Sequence, residues 1–156
     1  MTFALNDNLF AIPLQQVNKV IRSVAVTPVP DADPLMHGVF DFHGEILPVI
    51  NLRRRFSMDL KNISVNDRFL IITTPERKLA FVVDRVEDIK IVTESDIKEL
   101  FVTTSEKQGK TKNAPGLKQS YFLSDKKGII IIYDLDKLIN SEMKIHLDKL
   151  MEKQQK

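Results

Sequence analysis

Residues 38–56 carry the strongest structural signal in the chain and read Gly-Val-Phe-Asp-Phe-His-Gly-Glu-Ile-Leu-Pro-Val-Ile-Asn-Leu-Arg-Arg-Arg-Phe. Residues 39–42 place apolar side chains at the strand period, residues 43–45 have the composition of a tight turn, and residues 46–52 form an apolar run of strand length. Because Pro48 cannot donate a ladder hydrogen bond, we expect it at a bulge, at a sheet edge or at a corner between sheets. The stretch predicts a β-hairpin in a small β-barrel.

The composition limits the classes of function. The 156 residues include 23 basic and 21 acidic side chains, a net charge of +2, which by itself favours neither nucleic acid nor a membrane surface. Without cysteine the chain has no disulfide, thiolate metal site or cysteine nucleophile. The apolar runs are far shorter than the roughly 18 residues of a membrane helix, and no leader opens the chain. These features predict a cytoplasmic protein without direct membrane insertion.

The first half of the chain alternates between strand and helix signals. Residues 2–14 predict a first hairpin around an Asn-Asp-Asn turn. Leu14, Val17, Ile21 and Val24 recur at helical spacing and predict a short amphipathic helix. Residues 25–29 return to a strand pattern, and a helical turn is expected from Asp33 to Gly38. The central hairpin then completes a first barrel, predicted over residues 1–60.

The second half is also rich in strand signals. Residues 69–73 and 79–83 predict a hairpin of two arms buried on both faces, and residues 86–92 alternate. Residues 103–115 read as a solvated loop, and residues 121–133 as a last hairpin. A second barrel is therefore predicted over residues 61–140. Residues 141–156 predict a C-terminal helix and tail, whose apolar face should lie against a barrel.

Three separated segments carry a resemblance to a known family. They are a glycine followed, after six residues, by Glu-Ile-Leu-Pro-Val-Ile-Asn-Leu-Arg at residues 38–53, Phe-Val-Val-Asp-Arg-Val-Glu-Asp-Ile at residues 81–89, and Ile-Ile-Ile-Ile-Tyr-Asp-Leu-Asp-Lys-Leu-Ile at residues 129–139. In order and spacing the chain closely resembles the CheW family of bacterial chemotaxis coupling proteins. The resemblance implies a mostly β fold of two packed, intertwined five-stranded barrels with short helices.

The same resemblance implies a function. A CheW-like protein is a non-catalytic signalling adaptor without a cofactor, which ties the cytoplasmic tip of a chemoreceptor to the regulatory domain of the histidine kinase CheA. Other CheW-like proteins are further possible partners, as in receptor arrays. By resemblance, or as apolar anchors for a helical partner, the candidate partner-binding residues are Val17, Lys19, Val20, Gly38, His43 and Val86.

Three departures from the family pattern affect this surface. His43 stands where the family usually has an arginine prominent in partner binding, and histidine cannot replace a permanently charged five-donor fork at neutral pH. Lys19 stands where glutamate is frequent, a reversal of charge. Asn51 stands where aspartate is usual. Together they indicate a divergent or auxiliary coupling protein and leave open which kinase pathway it serves.

Other functional interpretations remain open. A nucleic-acid-binding small barrel would use, as phosphate contacts, Arg53, Arg54 and Arg55 with Lys107, Lys110 and Lys112. Against it, the charge is balanced and no row of exposed aromatic residues is evident, so no nucleic acid partner is expected. His37, His43 and His146 lie on different elements, which disfavours a metal site. No nucleophile, metal or cofactor motif indicates an enzyme, and Asp84, Glu87 and Asp88 more plausibly flank a turn.

Overall fold

The structure is a computed structural model that describes residues 1–100, 120–139, 144, 145, 147–149 and 152. Eleven strands dominate it: β1 Thr2–Leu5, β2 Asn8–Ala11, β3 Val17–Arg22, β4 Met36–Phe42, β5 Glu45–Ile50, β6 Arg68–Thr73, β7 Lys78–Val83, β8 Arg85–Val86, β9 Lys98–Leu100, β10 Ser120–Asp125 and β11 Gly128–Ile132. The short helices are α1 Leu52–Arg55, α2 Leu135–Leu138 and the 3₁₀ turns Leu14–Gln16 and Glu94–Asp96.

The strands form two mixed sheets. The first has six strands in the order β8-β1-β2-β11-β10-β9, and the second has five in the order β3-β6-β7-β5-β4. Most neighbours are antiparallel, but β11 runs parallel to β2 and β5 runs parallel to β7. The predicted mostly β, two-part fold is confirmed. One part has six strands rather than five, and within the described residues neither sheet closes into a complete barrel.

The sheets do not correspond to the predicted segments 1–60 and 61–140. Each segment contributes strands to both sheets, because β1 and β2 join the six-stranded sheet before the chain passes into the five-stranded one. The chain returns to the first sheet only at β8. The division at residue 60 is therefore a correction: the five-stranded sheet is continuous in sequence, whereas the six-stranded sheet is assembled from both ends of the chain.

Two apolar cores explain why the arms of the β6–β7 hairpin are almost entirely apolar. Along β6 and β7, alternate side chains enter one core between the two sheets and another on the opposite face of the five-stranded sheet. Leu70 and Phe81 pack in the first, whereas Phe69 and Val82 pack in the second. The prediction of a hairpin buried on both faces is confirmed. We name the core between the two sheets the inter-sheet core, and the core on the opposite face of the five-stranded sheet the inner core.

The central hairpin is confirmed, with a two-residue turn at His43 and Gly44. Their φ values are 55° and 86°, as a type I′ turn requires, and the Asp41 carboxylate accepts a hydrogen bond of 2.6 Å from the Gly44 N–H. Val39 exchanges backbone hydrogen bonds with Thr27, so its N–H and carbonyl point away from β5. Its pairing partner Pro48 therefore directs its backbone nitrogen away from β4, toward β7. The parallel ladder with β7 begins one residue later at Val49, so the missing N–H of Pro48 breaks no ladder hydrogen bond.

Three predicted local structures are wrong. The helix expected over residues 14–24 is a 3₁₀ turn followed by β3, because a bulge between Val17 and Lys19 shifts the apolar pattern away from strict alternation. The helical turn expected to end at Gly38 is the start of β4. Finally, the apolar run expected to continue as a strand to residue 52 ends at Ile50, and Leu52 begins α1. The N-cap side chain of this helix, Asn51, accepts a hydrogen bond of 3.1 Å from the Arg54 N–H.

The C-terminal segment is helical at each described residue from 144 onward, as predicted. Leu147 is buried in the inter-sheet core, and Asp148 forms an ion pair with Arg77 at the β6–β7 turn. The loop predicted at residues 103–115, with Lys107, Lys110 and Lys112, lies outside the described residues. In the described part of the chain, no helix has the length and apolar character to cross a membrane.

Of the three glycines that the structure describes, Gly38 should be the least tolerant of substitution. Its φ of 148° disfavours other residues, and a Cβ would lie 2.2 Å from the Thr27 carbonyl oxygen. We expect Gly38→Ala to lower the free energy of unfolding by at least about 2 kcal/mol in urea denaturation. Gly44→Ala is the control: its φ of 86° is also unfavourable, but nothing lies within 4 Å of the added Cβ. It should cost only about 1 kcal/mol, and equal losses would contradict the steric explanation.

Candidate partner-binding surface

Two predicted partner-binding residues, Lys19 and His43, are brought together by a third side chain, Phe42. The Lys19 ammonium lies 5.8 Å from the centroid of the Phe42 ring, and the rings of Phe42 and His43 are 4.5 Å apart in an edge-to-face arrangement. Strands β3 and β4 are opposite edges of the five-stranded sheet, so this contact shows that the sheet curls until its edges approach. We call Lys19, Phe42 and His43 the sheet mouth.

The position of Lys19 follows from the pairing of β3 with β6. Lys19 pairs with Ile71, whose side chain belongs to the inner core, so Lys19 points to that side and its amine emerges over Phe42. Phe42 packs against the inner core and is half-buried, whereas Lys19 and His43 are exposed. Among the described residues Lys19 forms no ion pair, while the neighbouring carboxylate of Glu45 is bound to Lys78 at 2.6 Å. The sheet mouth is therefore a cationic and aromatic surface.

The three predicted valines lie elsewhere. Val17 and Val20 on β3 are half-buried at the periphery of the inter-sheet core. Val86 on β8 pairs with Phe3 in the other sheet and is half-buried against the same core. They are not the fully exposed anchors that a docking surface would offer, but each retains a partly accessible side.

Gly38 has a role in the packing of the five-stranded sheet. It is buried, and its lack of a side chain allows the Thr27 backbone to pair with β4 at Val39. Gly38 shapes the sheet and is itself buried, so its predicted part in partner binding stays a prediction. Substitution here would disturb binding through the fold.

An ion-pair network ties the two sheets together. Arg53 in α1 is 6% exposed and donates to both carboxylate oxygens of Asp84, at 2.7 and 2.5 Å, and to the Asn6 side-chain oxygen at 2.9 Å. The backbone N–H of Asn6, in the β1–β2 turn, donates to Asp84 at 2.6 Å. Lys61 bridges Asp84 and the buried Asp67 at 2.9 and 2.7 Å. Because Arg53 follows β5 and Asn6 follows β1, the network joins one sheet to the other.

This network lowers the pKa of the Asp84 carboxyl to about 2. Burial alone would raise the pKa, but hydrogen bonds from Arg53, Lys61 and the Asn6 backbone stabilise the carboxylate and outweigh burial. The pKa of Lys61 is raised because its hydrogen bonds to Asp67 and Asp84 outweigh desolvation. Both shifts are typical of a structural ion network, because each comes from hydrogen bonds between oppositely charged side chains of the fold.

The network changes the interpretation of two sequence features. The nucleic-acid alternative assigned Arg53 to a phosphate contact, yet its guanidinium is buried and bound to Asp84. The nucleic-acid alternative finds no support in these contacts. Asp84 was expected to flank a turn and is instead the centre of the network. In the described part of the chain, no three His, Asp or Glu side chains group as a metal site, and His146 falls outside it.

Sequence reasoning missed Phe42 and the Arg53–Asp84 pair for different reasons. Phe42 alternates with Phe40 along β4, a signal that could have placed it at the end of an apolar face beside the turn. Arg53 and Asp84 are 31 residues apart, and no local pattern links them. Such a pair becomes visible only when the sheets are assembled.

Comparison with known proteins identifies the family. The family model described as CheW-like domain matches residues 1–143 of the 156-residue chain. The chain belongs to this family. The resemblance drawn from the three sequence segments is thus confirmed.

Several curated chemotaxis proteins are similar to the chain. The chemotaxis protein CheW of Treponema pallidum is 29% identical over 101 residues, covering 62% of this chain and 59% of that protein. The CheW of Thermotoga maritima is 27% identical over 140 residues, covering 89% and 85%. The Protein FrzA of Myxococcus xanthus is 28% identical over 95 residues, covering 61% and 59%. The chain therefore spans only about three fifths of the T. pallidum relative.

A solved structure confirms the fold. The crystal structure of the scaffolding protein TtCheW from Thermoanaerobacter tengcongensis superposes with a TM-score of 0.74 at 22% sequence identity. The match covers 91% of this chain and 92% of that one. At this identity the likeness concerns the fold alone.

Protonation of Asp84 should weaken the folded state in acid. The folded-state pKa of about 2 lies below the ordinary value of 3.8, so the unfolded chain binds more protons between them. The stabilisation is complete above about pH 4 and is lost as the pH falls toward 2, by about 2 kcal/mol in all. Urea denaturation against pH measures this loss.

A variant isolates the contribution of Asp84. We expect Asp84→Asn to be less stable near neutral pH by about 2 kcal/mol and to lose less stability than the wild type below pH 4. Asp7→Asn removes an exposed carboxylate beside Asn6 and is the matched control, which should keep the wild-type pH profile. Identical pH profiles for Asp84→Asn and the wild type would show that the network does not stabilise the fold.

Proposed function

We propose that this protein is a non-catalytic cytoplasmic adaptor that couples chemoreceptors to a CheA-type histidine kinase. Membership of the CheW-like family supports the class of function, and the similar proteins are named chemotaxis proteins. The structure supplies the local argument: a cationic, aromatic sheet mouth on a rigid sheet, together with half-buried valines at the rim of the inter-sheet core.

The sheet mouth is the proposed contact with the regulatory domain of the kinase. The single observation that carries this proposal is the contact of Lys19 with Phe42, which joins β3 and the end of β4 into one surface beside His43. The aromatic ring supplies apolar area, while the lysine supplies a charge with no carboxylate partner among the described residues. A kinase surface with acidic and apolar groups would match it.

The receptor tip is proposed to bind along the rim of the inter-sheet core. Val17, Val20 and Val86 border that core from both sheets and keep part of their apolar surface accessible. A helical receptor segment with apolar side chains on one face could bury these valines further. Other CheW-like proteins are a third class of proposed partner.

Calorimetry would test the function directly. This protein is titrated with the isolated regulatory domain of a CheA-type kinase from the same organism, and a receptor-tip fragment is then added. We expect saturable binding in the micromolar range or tighter. Heat changes no larger than dilution with both partners, from correctly folded samples, would overturn the proposal.

Lys19→Glu should change kinase binding without changing stability. The substitution reverses the charge over Phe42 and should weaken binding to the regulatory domain by about tenfold, because an interfacial charge pair becomes a like-charge contact. Lys19 is exposed, so the melting temperature should stay within about 2 °C of wild type.

A matched charge reversal controls for long-range electrostatics. Lys126 is exposed in the β10–β11 turn of the other sheet, so Lys126→Glu should leave kinase affinity near that of wild type. If both variants weaken binding equally, the effect is one of net charge and the sheet mouth is not the contact. A large melting shift in Lys19→Glu alone would instead assign Lys19 a structural role.

A further inference from the structure

A pair of adjoining clefts lies apart from the sheet mouth, where the loops before β4 and β6 meet α1. Each has a volume of about 440 Å³, and His37 and Asn62 line both. The first, the apolar cleft, is bordered by Val24, Val26, Ile63 and Val65. The second, the cationic cleft, is bordered by Asn51, Arg54, Leu60 and Lys61.

The apolar cleft exposes side chains that usually avoid water. Val24 is 46% exposed and Val65 is 82% exposed, although both are β-branched aliphatic residues. They lie on loops that are joined by a hydrogen bond of 2.6 Å from the Ser23 hydroxyl to the Ser64 carbonyl oxygen. The cleft therefore has a fixed wall and an unburied apolar lining, which suits an aliphatic side chain.

The cationic cleft has basic groups but no acidic residue in its lining. The Arg54 side chain is exposed and forms no ion pair with any described residue. Lys61 directs two hydrogen bonds to Asp67 and Asp84, which leaves one of its three donors available. Asp67 and Asp84 are thus already occupied by Lys61 and Arg53, and the charge of Arg54 is not paired with a carboxylate in the part of the chain that the structure describes.

His37 lies where the two clefts meet, and its surroundings disfavour a third positive charge. Burial and the charge of Arg54 lower the pKa of the His37 imidazole, and Asp67 only partly offsets them. An anion beside Arg54 would cancel that repulsion and make the imidazolium a hydrogen-bond donor. Ligand binding and protonation of His37 would then be linked, so an anionic ligand should raise the pKa of His37.

We propose that these clefts form a binding site for a ligand that carries a carboxylate next to an aliphatic side chain. The C-terminus of a peptide that ends in an aliphatic residue has both groups, and so does a segment in which an acidic residue precedes an aliphatic one. The carboxylate lies between Arg54 and His37, where the guanidinium can donate two hydrogen bonds. The aliphatic side chain enters the apolar cleft against Val24 and Val65. This site is distinct from the sheet mouth and does not rest on the proposed adaptor function.

Three related small molecules test the two halves of the site separately. N-acetyl-leucine carries both groups, N-acetyl-leucinamide only the aliphatic one, and acetate only the carboxylate. The readout is the pH titration of the His37 ring proton by NMR with each compound. We expect N-acetyl-leucine to bind tighter than acetate and to raise the pKa of His37, and the amide to leave that pKa unchanged. N-acetyl-aspartyl-leucinamide, with its carboxylate on a side chain, shows which source of carboxylate binds tighter.

Variants complete the test. Arg54→Gln should weaken binding of N-acetyl-leucine by about tenfold, the loss of one charged pair. Val65→Ser should weaken N-acetyl-leucine but not acetate, and Lys126→Gln, on the other sheet, should change neither. Wild-type amide chemical shifts outside the clefts would verify folding. The proposal is overturned if N-acetyl-leucine at tens of millimolar leaves His37 unchanged, or if a folded Arg54→Gln variant binds it as tightly as wild type.

Discussion

The buried pairing of Arg53 with Asp84 is the constraint on which the arrangement of the two sheets depends. Asp84 lies at the point where the chain leaves β7 of one sheet for β8 of the other, and its backbone N–H donates to Ala4 in β1. Arg53 reaches it from α1, and Asn6 completes the contact from the β1–β2 turn. A buried guanidinium is costly unless each donor is directed to an acceptor, so the geometry of this junction is narrowly defined.

The candidate binding surface depends on this frame and on two local irregularities. The bulge before Lys19 turns that side chain to the inner face of the curled sheet, and the absence of a side chain at Gly38 lets Thr27 approach Val39. These features bring opposite edges of the five-stranded sheet close enough for Lys19 to reach Phe42. The sheet mouth is therefore a product of backbone geometry, with little local flexibility needed to form it.

The sequence predicted the elements whose signals lie within a few neighbouring residues. The predictions were wrong where contacts with residues distant in sequence determine the structure. The central hairpin follows from a turn dipeptide between apolar runs, and the β6–β7 hairpin from uninterrupted apolar arms. The prediction of a helix over residues 14–24 was wrong, because the apolar residues of a bulged strand have helical spacing over a few residues. The buried position of Arg53 could not be predicted from the sequence, because its partner Asp84 is distant in sequence and does not belong to α1.

Charge composition gave no indication of a partner because it counts charges without regard to their pairing. Asp67 and Asp84 are occupied by Lys61 and Arg53, and Glu45 is occupied by Lys78. Where carboxylates are engaged in internal pairs, a neighbouring lysine or arginine contributes its full charge to the surface even when the total is near balance. This is why a chain of net charge +2 presents cationic surfaces at the sheet mouth and at Arg54. For a protein of this kind, the charges left unpaired after folding are better guides to recognition than the composition.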